Sequence, residues 1–93
     1  MTRFPVGKLV VTLGIQQLID QHAFPVMEYV DRHAQGDWGN VLVGDYAENE
    51  LAVEMGDRVL SVYAVTYDEQ RIEFFVITEA DRSVTTVLLK SEY

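Results

Sequence analysis

His33, Arg82, Ser83, Thr85 and Thr86 are the side chains with the most chemistry to offer, and four of them crowd into one stretch near the C-terminal end. A histidine, an arginine and a hydroxyl are the parts of a metal-independent ribonuclease. His33 would move the proton of a 2′-hydroxyl, Arg82 would neutralise the phosphate, and Thr85 would position it. Each residue also has a plainer role. A histidine where a helix ends can bond the backbone there, and Glu79 and Asp81 can hold Arg82 in a local ion pair. Thr85 and Thr86 face opposite sides of any strand, where their β-propensity suffices to explain them.

Charge weighs against RNA as a substrate. Fifteen acids oppose seven bases, a net charge of −8, and such a chain is repelled by phosphate backbones. RNA-cleaving proteins present a basic face instead. The acidity suits a protein partner with a basic surface, although it also serves solubility alone.

Asp45, Glu48, Glu50, Glu54 and Asp57 follow one another with no base between them. On a helix, carboxylates one turn apart are about 5–6 Å from each other, comparable with phosphates along a DNA strand. The segment therefore reads either as a DNA-mimicking acidic face or as a solvated helix side. Trp38, the sole tryptophan, stands between Gly36 and Gly39. It is either an interface anchor or the plug joining helices to sheet.

The chain contains no cysteine, which removes disulfides, cysteine-ligated metals and a thiol nucleophile. His22 and His33 are too far apart in sequence for HxxxH or HExxH, so neither a metal nor a cofactor is expected. No apolar run approaches the roughly 18 residues of a membrane helix. With no basic-then-apolar leader visible, a cytoplasmic location is the default expectation.

These residues need a frame. Lys8 to Thr12 reads as a short first strand, confined to a sheet edge by Pro5 and Gly7. Thr12 caps a helical turn through Ile15, Leu18 and Ile19. Pro25 opens an amphipathic helix through Val26, Tyr29, Val30 and His33, which Gly36 stops. A further helix is expected from Asp45 as N-cap, with Glu48 completing a capping box and Gly56 ending it. Ala47, Leu51 and Met55 would form its buried side.

After Gly56 the apolar period becomes 2, giving strands over 59–67, 72–78 and 83–89 joined by short polar turns. The expected fold is one α+β domain over 1–93, in two layers. A short N-terminal strand and two to three helices precede a C-terminal antiparallel three-stranded meander, whose last hairpin lies at the sheet centre.

Four blocks are distinctive: Phe4–Pro5–Val6–Gly7; Arg32–His33–Ala34–Gln35–Gly36–Asp37–Trp38–Gly39; Glu48–Asn49–Glu50; and the run from Ile77 through Thr78–Glu79–Ala80–Asp81–Arg82–Ser83 to Leu89. On these, almost the whole chain resembles small bacterial proteins known as plasmid-related proteins, some of which carry the label of a type I restriction-modification subunit. The family's usual proline stands at the position of Lys90, so the tail here is expected to leave the sheet differently. The resemblance implies cargo of mobile elements and transfers no established activity. Neither a glycine-rich phosphate loop nor the length for a methyltransferase or nuclease subunit is present, so the restriction label finds no support in the residues.

The resulting expectation is a non-enzymatic acidic binding protein of a mobile genetic element. Its contacts would be Asp45, Glu48, Glu50, Glu54, Asp57 and Trp38, and its target a protein with a basic surface, such as a host nucleic-acid-handling or defence enzyme. The ribonuclease of His33, Arg82 and Thr85 is the alternative, and the helices-then-meander order is compatible with the barnase/RelE-like toxin fold by analogy. A homodimer through Tyr63, Tyr67, Phe74 or Phe75 on an exposed sheet face is compatible with the first.

Overall fold

The alternation that begins after Gly56 organises the molecule. A computed structural model describes residues 2–93. β1 (Lys8–Val11) is followed by α1 (Leu13–His22), α2 (Val26–Ala34) and α3 (Val43–Met55). The meander β2 (Val59–Tyr67), β3 (Gln70–Thr78) and β4 (Val84–Leu89) comes next, and a 3-10 turn (Lys90–Glu92) closes the chain. Among the described residues, no helix is long and apolar enough to cross a membrane.

The sheet order is β1-β4-β3-β2. The β3–β4 hairpin is central, as its composition predicts, and β1 lies at the edge in parallel register with β4, Lys8 opposite Val84. Parallel pairing needs a long crossover, which here comprises everything from α1 to β3. The β2–β3 turn places both Asp68 and Glu69 in the left-handed region, the geometry of a tight two-residue hairpin.

Alternate strand residues make the principal core. Tyr63, Phe74, Val76 and Val87 meet Ile15, Leu18, Phe24 and Val30 from α1 and α2. A smaller core of Phe4, Trp38, Ala52 and Val59 lies beneath α3. Tyr63 and Phe74 are fully committed to the helical side. This corrects their assignment to an exposed contact face, because the odd positions of β2 and the even positions of β3 point inward.

α3 departs most from expectation. It begins at Val43 with Leu42 in the N-cap position and no side-chain cap. Asp45 therefore lies in the first turn, and no capping box with Glu48 forms. The helix does end at Gly56, in a left-handed conformation. Its inward residues are Asn49 and Ala52, whereas Leu51 and Met55 are exposed. Asn49 explains the rotation: its Nδ2 donates to the Leu60 carbonyl at 2.7 Å, and its Oδ1 accepts from the Leu60 N–H at 3.1 Å. One side-chain amide thus satisfies both backbone groups of a residue on the outer edge of β2. Gly39 closes the next position of that edge by a bridge to Val62. Any Cβ there would collide with the Val62 carbonyl.

Candidate functional site

His33 ends the buried stripe of α2 and is wholly enclosed. Its Nδ1 lies 2.6 Å from Ser61 Oγ on β2, and its Nε2 lies 2.9 Å from Thr78 Oγ1 on β3. Thr78 Oγ1 is 2.6 Å from Thr85 Oγ1, which donates to the Val6 carbonyl at 2.7 Å. That carbonyl fixes the direction of the whole chain. Thr85 gives its proton to Val6, so it accepts from Thr78; Thr78 then accepts from His33 Nε2–H, and Nδ1 accepts from Ser61. Burial, reinforced by the charge of Arg82, pushes the His33 pKa down to about 4. The imidazole is neutral across the physiological range, and both its nitrogens point at hydroxyls rather than at the backbone.

Arg82 does not form the expected ion pair with Glu79 and Asp81. It adopts a left-handed backbone (φ 61°) and turns its guanidinium into a cage of carbonyls. Nη1 donates to Asp57 O at 2.6 Å and to Glu79 O at 3.2 Å, and Nη2 donates to Ala52 O at 3.1 Å. The cation sits where α3 exposes its last carbonyls and the negative end of its dipole, with its other face on the Phe4 ring at 5.2 Å. Asp81 instead accepts from the backbone N–H and hydroxyl of Ser83, which orders the turn.

The structure thus joins His33 and Thr85 through Thr78 and brings Arg82 close enough to be felt, but it closes all three. Among the described residues no buried side-chain polar atom lacks a partner, and the clefts beside Arg71 and Lys90 and beside Asp45 and Glu48 do not include the three. A general base needs hydrogen-bond reach to a substrate proton. His33, with both nitrogens engaged and no solvent contact, has none in this structure.

Trp38 is likewise interior, at 1 % exposure. It packs near-parallel to Phe4 at 6.1 Å and edge-on to His33 at 5.7 Å, so it is the plug between helices and sheet. Its Nε1 donates to Glu50 at 2.9 Å, and Arg3 Nη1 reaches the same carboxylate oxygen at 2.7 Å. These donors, Arg3 foremost, hold the Glu50 carboxyl below its ordinary range. Glu50 is therefore a strut, and the row of five acids is interrupted by Arg3, a base 47 residues away in sequence. Asp45, Glu48, Glu54 and Asp57 remain exposed.

The acids do not stand alone on the outer side of α3. Val43, Ala47, Leu51 and Met55, each four residues apart, form a stripe along the helix. Val43 is 89 %, Leu51 58 % and Met55 68 % exposed, and Leu42 and Tyr46 extend the apolar surface at the N-terminal end. At 100° per residue, Glu50 and Glu54 flank one side of this stripe and Glu48 the other, while Asp45 falls on the side of Asn49 and Ala52, in the exposed first turn. Sequence reasoning placed the stripe in the core. The overlooked signal was Asn49, a residue that competes with the helical backbone and so needs a reason to sit mid-helix. No protein-family model, curated protein or solved structure matches this chain.

Proposed function

We propose that the protein works by binding another protein, without catalysis, through the outer face of α3. The observation that carries this reading is the exposed Val43–Ala47–Leu51–Met55 stripe flanked by acids. A helix with an apolar centre and charged margins docks into a groove as a helix-in-groove ligand. The complementary surface is an apolar groove rimmed by Lys and Arg. The margins give long-range attraction and the apolar stripe gives the residence time.

The resemblance to plasmid-related proteins supports a host nucleic-acid-handling or defence enzyme as this partner, since a DNA channel is lined with bases. Asp45, Glu48, Glu54 and Asp57 would occupy the places of phosphates there. Glu50 would not, being bonded to Arg3 and Trp38.

A photo-crosslinking residue at Tyr46, followed by mass-spectrometric identification of the captured protein in the bacterial host, tests the reading. The identified partner should carry a basic channel and lose capture with Leu51→Asp. Its affinity should fall, with a shallower salt dependence, when Glu48 and Glu54 become glutamine. Capture indifferent to Leu51→Asp, or a partner with an acidic surface, would sink the proposal.

A further inference from the structure

The two edges of the sheet are finished differently. At β2 the chain closes its own edge over Leu60 and Val62. Asn49 takes both backbone groups of Leu60, and the Val62 N–H and carbonyl bond to Trp38 and Asn40. β1 has no such bonds. Lys8 and Thr12 both donate their N–H groups across to β4, at Ser83 and Val87, so alternation turns the N–H and C=O of Leu9 and Val11 outward. Among the described residues no hydrogen bond reaches these four groups. A row of unpaired backbone groups on an apolar strand is a template for another strand. Val10, between them, is 39 % exposed.

The two ends of this edge carry opposite charge. Lys8 is exposed and makes no ion pair among the described residues. At the other end, the Glu92 carboxylate accepts from Thr12 Oγ1 at 2.5 Å, from the Gly14 N–H at 3.0 Å and from the Leu89 N–H at 2.9 Å. These bonds fix an exposed carboxylate beside Thr12.

We propose that β1 pairs antiparallel with β1 of a second copy, about a two-fold axis normal to the sheet and passing between the two Val10 residues. Leu9 then faces Val11 of the other copy, and four main-chain hydrogen bonds form. Val10 meets its own counterpart in the closer, non-hydrogen-bonded kind of pair. Lys8 comes opposite Thr12 of the other copy and reaches the Glu92 carboxylate held there, twice by symmetry.

The chain itself selects this register. Sliding the strands by two residues puts Gly7, left-handed at φ 64°, or Leu13, the first residue of α1, in a pairing position. Either slide leaves one extended residue of each copy to bond. A parallel pairing would set Lys8 near Lys8 and Glu92 near Glu92. Antiparallel pairing makes one continuous sheet of the two, with the helices of both copies on the same face. α3 is bonded to the opposite edge, at β2, so its outer stripe takes no part.

Light scattering coupled to size-exclusion chromatography of the full chain, between about 10 µM and 1 mM, should show the mass rise from 10.6 kDa to twice that value. Over the same range amide exchange should slow at Leu9 and Val11 and stay unchanged at Ala64 and Thr66, which continue the β2 edge. Val10→Lys and Val10→Glu should each give a monomer, and mixing the two variants should restore a dimer, because residue 10 faces its own counterpart. Lys8→Glu should weaken association about tenfold. Circular dichroism of each variant checks that the fold is intact. A monomer at every concentration, a dimer indifferent to Val10→Lys, a mixture that stays monomeric, or protection at Ala64 and Thr66 instead would overturn this arrangement. Leu51→Asp should leave the dimer intact, so this proposal and the α3 reading fail independently.

Discussion

Two places in this molecule reverse the usual partition of polar and apolar groups. Under the sheet, an imidazole and three hydroxyls lie fully buried in one chain from Ser61 to Val6. On α3, four apolar residues in register are turned to water. The first reversal is closed, because every donor has its acceptor and nothing remains to be offered. The second is open, because no group among the described residues covers it. A buried polar cluster resembles an active site in composition, yet satisfied bonds make it a structural element. The helix that resembled an ordinary core element is the one with unmet capacity.

That contrast can be broken from the inside first. His33→Ala should be the most damaging change, costing about 4 kcal/mol, since it opens a cavity and strands Ser61 and Thr78 without partners. Urea unfolding would measure it. Retention of wild-type stability would mean that the polar chain is not structural.

The same histidine predicts a pH dependence. A free imidazole titrates near 6.5, and His33 is held down to about 4 by burial. As pH falls from about 6.5 towards 4 the unfolded chain takes up this proton and the folded one does not. The contribution is therefore complete above 6.5 and is lost through that window, about 3 kcal/mol in all. Unfolding curves across the window should show this slope, and His33→Gln should flatten it.

Asn49→Ala, which uncaps both backbone groups of Leu60, should cost about 2 kcal/mol. It should also increase amide exchange along the β2 edge. Leu51→Asp sits at the other extreme: stability should change by less than about 0.5 kcal/mol, while partner binding is lost. A Leu51→Asp variant that unfolds would show that the stripe is covered after all.

Much of the frame was legible because its signals are local. Alternation after Gly56 marked three strands, Pro25 and Gly36 bracketed α2 within a residue or two, and Thr12 stands where α1 begins. The orientation of α3 was not legible. Period alone grouped Ala47, Leu51 and Met55 as a buried side, but the helix turns on what its neighbour demands, and β2 demanded an amide for its open edge. The choice between the two readings of Trp38, and the bonds of Glu50, were not legible for a related reason. Their roles depend on Arg3, which no spacing rule connects to them. The roles of His33, Arg82 and Thr85 depend equally on depth, and a sequence names groups without saying how far they are from water.

The parallel pairing of β1 with β4 also bears on how the chain is made. Thr12 and Glu92, bonded to each other, are 80 residues apart. On a translating ribosome β1 must wait, unpaired, until β4 has emerged, and contacts of such separation form slowly. The meander can assemble beforehand, so β1 is inserted beside a β4 that is already paired with β3. Until then one side of β4 stays open, and the growing chain is most exposed to mispairing with its neighbours in that interval.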